Sequence, residues 1–251
     1  MFVRRGCFYR RLNGAEAFVD PTVVYFKRPR DEQQIAHPAG GDSCTALYVT
    51  ADLLATVRGG EPELPDRPVP TAAALDLRHR FFRGLAGRVE REDELDELVV
   101  ALLAELLESI EPKQADGGRP GTAIARRRAV AGAREALGED PRTGVIELSR
   151  RVAVSPHHLS RVFKAETGET ISRYRNRLRV RLALERLAEA EPCLTRLAAD
   201  LGFADHAHMT RVIRRELGVP PAQLRARLAP EPLGESLLTE LRTRRVALLE
   251  P

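Results

Sequence analysis

The segment LSRRVAVSPHHLSRVFKAETG (148–168) returns about fifty residues later as LAADLGFADHAHMTRVIRRELG (197–218). Self-similarity at such a period marks one supersecondary unit used twice. Each copy opens with a short amphipathic helix, carried by Leu148 and Val152 in the first and by Leu197 and Leu201 in the second. A tight turn follows, AVSP or GFAD, with the small residues Ala153 and Gly202 at its sharpest point. A second helix then repeats the same apolar triplet at i, i+3 and i+4: Leu159, Val162 and Phe163, against Met209, Val212 and Ile213. Gly168 and Gly218 stand where a helix ends in the left-handed conformation. Two short helices about a tight turn form a helix-turn-helix, whose second helix enters the major groove of DNA.

The triplet fixes which face looks inward, so the opposite face is the one left to read. It carries His157, His158 and Arg161 in the first copy, and Ala207, His208 and Arg211 in the second, with His206 just ahead of these; Thr210 joins the DNA-binding set, and Lys164, nearer the flank, is expected on phosphate. Ser155 and Asp205 are N-cap residues, which places the positions after them in the turns that approach base edges. Arg holds guanine O6 and N7 with two hydrogen bonds, and His donates to base acceptors or to phosphate. Four of the six histidines lie here, but at i, i+1 and i, i+2 spacings that share no helical face, so they read as groove contacts and not as metal ligands.

Between the copies, ISRYRNRLRVRLALERLAEAE (171–191) reads as one long helix with an apolar face at Leu178, Leu182, Ala183 and Leu187. Arg173, Arg175, Arg177, Arg179 and Arg181 are expected to crowd its other side, with Arg173 on phosphate. Such a helix would hold the two units at a fixed separation, and successive major-groove faces lie roughly 34 Å apart.

Charge supports a polyanion partner for this half alone. Residues 119–228 carry 22 Arg or Lys against 12 Asp or Glu, a net of +10, while 1–118 carry 15 against 20, a net of −5. No apolar run reaches the roughly 18 residues of a membrane span, and MFVRRGCFYRR lacks the apolar core of a secretory signal. Three scattered cysteines, Cys7, Cys44 and Cys193, fit a reducing cytoplasm and no disulfide scaffold.

Ahead of the repeat, short β-rich stretches at 7–12, 18–19, 23–27, 33–37 and 44–50 are separated by turn signals, Asn13-Gly14 among them. Residues 59–70 hold too many prolines and glycines for a regular element. Helices are expected at 72–88 and 91–110. The second of these has an aliphatic face of Leu95, Leu98, Val99, Leu102, Leu103, Leu106, Leu107 and Ile110, to be buried under the sheet or in a dimer seam. PKQADGGRPGT (112–122) reads as a linker crossed by few contacts, and the tail 229–251 offers one weak helix at 237–249.

SPHHLSRVFKAETG, the connecting YRNRLRVRLALERL and the closing LAADLGFADHAHMTRVIRRELGVPPAQLRARL together resemble the AraC/XylS family of bacterial transcription regulators over about residues 125–228. Met209 and Ile213 stand where that family favours aromatics, and Ala153 replaces a common glycine. The resemblance implies an α+β chain: a short cupin-like β sensor region (1–58), a helical and dimerising region (71–111), a linker (112–122), an all-α DNA-binding domain with two helix-turn-helix units joined by a long helix (123–228), and a tail (229–251). It implies a nucleoid-associated cytoplasmic regulator whose partner is double-stranded DNA, with a homodimer, RNA polymerase and an unidentified small-molecule effector as further partners. No cofactor is expected, and the catalytic and metal sites are expected to be none. Two other readings stay open. One is a cupin-type metal enzyme with an appended helical domain, for which His37 is the only histidine before His79. The other is a ligand-independent dimeric DNA-binding module. Tyr25, Phe26 and Tyr48 read as ordinary core.

Overall fold

The computed structural model describes residues 1–38, 40–58, 63–86, 92–110 and 120–228. The chain is α+β. Its first strand, β1 (Phe2–Arg5), is followed by the hairpin β2 (Phe8–Leu12) and β3 (Ala15–Val19). Asn13 (φ 49°) and Gly14 (φ 80°) form that hairpin's turn, the two positive φ values that an Asn-Gly pair supplies most cheaply. After β4 (Val23–Val24), β5 (Gln33–Ala36) and β6 (Ser43–Thr45), the described strands end with β7 (Val69–Pro70). Two antiparallel sheets result, ordered β6-β1-β4-β7 and β3-β2-β5.

Three expectations for this half change. The basic terminus MFVRR is a strand, because Phe2 and Val3 pair with Val24, Thr45 and Cys44 and turn their side chains into the core. Residues 51–58, read within a β region, form the helix α1 (Ala51–Arg58), whose Leu53 N–H donates to Thr50 Oγ1 at 3.2 Å. The proline-rich stretch still contributes Val69–Pro70 as a sheet-edge strand, a position where a missing N–H costs no ladder bond. Its residues 59–62 lie outside the described residues. Tyr25 is buried and Phe26 packs against the core, but Tyr48 is 75% exposed and belongs to no core.

Helices α2 (Ala73–Ala86) and α3 (Glu92–Glu108) cover the first sheet. Leu102 and Leu106 meet Phe2, Val24 and Leu75, and Leu103 and Leu107 are also buried, so this part of the aliphatic face packs under the sheet. Leu95 and Leu98 fall outside the described side chains.

The all-α half begins one turn earlier than expected. Pro120, read as linker, opens α4 (Pro120–Glu139), the helix position where a proline is tolerated. Residues 111–119 and the tail 229–251 lie outside the described residues. The helices that follow are α5 (Val145–Arg151), α6 (Pro156–Thr167), α7 (Ile171–Ala188), α8 (Leu194–Asp200), α9 (His206–Leu217) and α10 (Pro221–Leu228). One core joins Ala133 and Leu137 of α4 to Leu148, Leu159, Phe163, Tyr174 and Leu178. The other joins Val180, Leu184 and Leu187 of α7 to Leu197, Leu201, Met209, Ile213 and Leu224, and takes in Ala73 of α2. Leu182 packs against both.

Contacts between the two halves are substantial. Asp20 accepts from Arg134 Nε at 2.9 Å and from the Tyr174 hydroxyl, and Arg80 bridges Asp76 (3.1 Å) and Glu185. Arg177 and Arg181 both donate to the Thr71 carbonyl, Arg177 at 2.7 Å. Buried charges are kept this way because each must be paired or hydrogen-bonded.

Candidate nucleic-acid interface

Both second helices are built by the same local chemistry. At α6, Ser155 takes an extended backbone and its hydroxyl accepts the His158 N–H at 3.2 Å, with Pro156 in the first turn. At α9, the Asp205 carboxylate accepts the His208 N–H at 2.6 Å. Gly168 (φ 78°) and Gly218 (φ 74°) close the two helices in the left-handed region, donating to the Lys164 and Arg214 carbonyls at 2.9 and 2.8 Å. The triplets Leu159, Val162, Phe163 and Met209, Val212, Ile213 are all buried, which turns the opposite faces to solvent.

On α6 that face presents His157, Ser160, Arg161 and Lys164, all exposed, with His158 half-buried and its Nδ1 3.3 Å from the Arg161 guanidinium. On α9 it presents His206, Ala207, Arg211 and Arg214. Thr210 is half-buried there, its hydroxyl 3.5 Å from His206 Nε2. His208 does something else. Its Nδ1 accepts the Ala204 N–H at 3.3 Å and its ring sits edge-on to Phe203, so it braces the turn ahead of α9. Ser160 and Arg214 were missed by the sequence reading, although the fifty-residue offset maps them onto Thr210 and Lys164.

Several of the arginines that border this face are paired with carboxylates: Arg151 with Glu139 (3.0 Å), Arg177 with Glu169, Arg186 with Glu191, and Arg142 with Asp140 (2.9 Å). Among the described residues, Arg161, Lys164, Arg211 and Arg214 have no such partner. Arg173 stands between the two groups, with a 72% exposed side chain 3.9 Å from Glu169.

The arginine row of α7 is not one solvent face. Steps of two residues advance 200° around a helix, so 173, 177 and 181 fall on one side and 175 and 179 on the other. Arg181 is fully buried on Thr71, and Arg179 is 6% exposed. Burial brings Arg181 down to about 10, and burial with Arg175 alongside does the same to Arg179, which leaves both charged at neutral pH. They are internal braces and not phosphate contacts.

Residues 148–227, from α5 to α10, match a helix-turn-helix domain model. The transcriptional activator RhaS of Escherichia fergusonii is 26% identical over 235 residues, which is 90% of this chain and 84% of RhaS. The chain is thus similar to helix-turn-helix transcription regulators. The HTH-type transcriptional regulator Rv1931c of Mycobacterium tuberculosis is 39% identical over 83 residues, 33% of this chain and 32% of that protein. The DNA-binding domain of AdpA, solved with a target DNA, aligns at 25% identity and a TM-score of 0.37 over 39% of this chain and 90% of that one. The helix-turn-helix domain match spans about a third of the chain, the part that holds both α6 and α9. Among the described residues no helix is long and apolar enough to cross a membrane.

Proposed function

We propose that this chain is a sequence-specific transcription regulator whose helices α6 and α9 read two adjacent major-groove segments on one side of a duplex. The observation that carries the reading is the pair of matched faces on which Arg161, Lys164, Arg211 and Arg214 stand exposed with no carboxylate partner, while several arginines around them are paired. An unpaired surface cation releases phosphate counterions without first breaking an internal ion pair. His157, His158 and Arg161 give the first unit the richer set of donors, and Ala207 offers the second only a methyl. Ser155, His206, Ala207, His208 and Thr210 complete the proposed surface, with His208 acting mainly through the turn that it braces.

The test is binding-site selection on the unaltered chain and on Arg161→Ala and Arg211→Ala. Each substitution is expected to cost about 1–3 kcal/mol and to relax preference at particular base pairs, the first more than the second. Lys164→Ala and Arg214→Ala should weaken all sequences alike and flatten the salt slope by about one unit each. Unchanged sequence preference in Arg161→Ala would mean that another face docks.

A homodimer, RNA polymerase and a small-molecule effector are carried as further partners, and a cytoplasmic, nucleoid-associated location goes with the reading. One observation favours the ligand-independent form. The interior of the β region is filled: Arg10 is buried there with its guanidinium 4.7 Å from the Tyr25 ring, donating to Phe26, Asp66 and Gln33. Light scattering on the whole chain and on residues 120–228 separates a dimerising first half from a monomer.

A further inference from the structure

The entry loop of the first helix-turn-helix unit and the turn of the second meet at Arg179, whose guanidinium reaches both. From α7 its Nε and Nη2 donate to the Pro141 carbonyl at 3.0 and 2.8 Å, holding the loop that leads from α4 into the first unit. The same guanidinium lies 5.4 Å from the ring centroid of Phe203, in the turn that leads into α9. Gly202, beside it in that turn, has φ 73°. A Cβ there would come within 2.5 Å of Arg142 Cγ, 3.0 Å of Arg142 Cα and 2.9 Å of Arg179 Nη2. The turn of the second unit therefore rests directly on the entry loop of the first. Arg175 reaches the same loop through the Thr143 carbonyl (3.0 Å).

A buried arginine is a costly way to fill this space. Its charge meets a carbonyl just beyond the C-terminus of α4, where the helix dipole is negative, and an aromatic face, but no hydrogen-bonded carboxylate. What the arginine brings is geometry, since a planar fork and a stacking face fix two directions at once, which a lysine cannot do.

We propose that Arg179 is a positioning residue for DNA recognition, fixing the angle and spacing between α6 and α9 and thereby the spacer that the chain accepts between its two half-sites. The proposal rests on the two-groove reading above. A single added base pair moves the second half-site by about 3.4 Å along the axis and turns it about a tenth of a revolution, so a pinned pair of helices should tolerate little variation.

The experiment is selection from a library with both half-sites randomised and spacers of several lengths, using the full chain, Arg179→Lys, Arg179→Ala, Gly202→Ala and Arg175→Ala, each checked for folding by circular dichroism. The unaltered chain is expected to enrich one spacing and to bind sites one base pair longer or shorter at least about tenfold more weakly, the cost of a mismatched position. In Arg179→Lys and Arg179→Ala those sites should come to within about threefold of the best, with the base preference inside each half-site kept. Gly202→Ala, pushing the same contact apart from the other side, should relax or shift the spacing too, which keeps the test decisive if Arg179→Ala does not fold. Arg175→Ala should keep the original spacing. A single retained spacing in every folded Arg179 and Gly202 variant, or an affinity loss equal at all spacings, would overturn the proposal while leaving the functional reading intact. Enrichment of no two-part site by the unaltered chain would overturn both.

Discussion

Replacing Asp20 with Asn removes the carboxylate that joins the β region to α4 and α7. Asp20 is 2% exposed and accepts from Thr22 N at 2.8 Å, Thr22 Oγ1 at 2.6 Å, Arg134 Nε and Nη2 at 2.9 and 2.8 Å, and the Tyr174 hydroxyl. The Asp20→Asn side chain could keep the Thr22 contacts, but it would leave the Arg134 guanidinium without a counter-charge between the rings of Phe18 and Tyr174. Removing one partner of a buried pair costs about 3–5 kcal/mol, a large share of the roughly 5–15 kcal/mol that holds a domain together. With a urea slope near 2 kcal/mol/M, the midpoint should fall by about 1.5–2.5 M at pH 7. Far-UV circular dichroism and tyrosine emission would both report it, since the chain has no tryptophan. Adding Arg134→Met to Asp20→Asn should recover part of the loss, because no orphan charge remains. The pH dependence follows from the carboxyl itself. Burial pushes it up, but Arg134 and the hydrogen bonds from Thr22 and Tyr174 outweigh that and hold it below the ordinary aspartate value. A depressed folded value means the stabilisation is complete above the unfolded pKa of about 3.9 and is lost as pH falls through the folded one. The stability gap between the unaltered chain and Asp20→Asn should therefore be full at pH 7 and shrink on acidification below about pH 4. A loss under about 1 kcal/mol at pH 7, or a gap that stays constant down the acid range, would refute the reasoning.

Residues 120–228 should fold alone, because both helical cores are complete without the first half except for Ala73 and the adjoining Leu77. A fragment without helical dichroism would put the boundary elsewhere. The two turns should respond in opposite directions. Ala153 carries a left-handed φ of 54°, so Ala153→Gly should raise stability by up to about 1 kcal/mol, whereas Gly202→Ala, strained and crowded by Arg142, should lower it by about 2 kcal/mol. Thermal melts with the same sign for both would count against this account of the turns.

The exposed face of α6 was legible because its information is local: Leu159, Val162 and Phe163 fix the buried side by spacing alone, and Ser155 and Gly168 mark the ends. What escaped depends on partners far away in the chain. MFVRR becomes a strand only because Val24 and Cys44 arrive on either side of it. The arginines of α7 look like a polyanion surface until Thr71 and Pro141 are seen to take two of them inside. Their spacing did carry a warning, since residues two apart cannot share a helical face. Asp20, Arg134 and Tyr174 carry no signal of their meeting, as 114 and 154 residues separate Asp20 from its two partners.

Helix α7 is a wall of both helical cores, with Tyr174 and Leu178 in one, Val180, Ala183 and Leu184 in the other, and Leu182 touching each. If α6 and α9 read two grooves, a reader assembled on one continuous helix and pinned by Arg179 holds its halves at a fixed angle, so the duplex has to supply whatever bend the two grooves require. Bending a 20–30 base-pair site by 40–90° costs on the order of 1–6 kcal/mol, less where pyrimidine–purine steps yield and more across a stiff A-tract. Base pairs between the half-sites, which no side chain reaches, should then carry a preference of their own, paid in stiffness and not in hydrogen bonds. Placing TA or CA steps at the centre should tighten binding relative to an A-tract with every contacted base unchanged, and equal affinity for the two would show that the protein, and not the DNA, gives way.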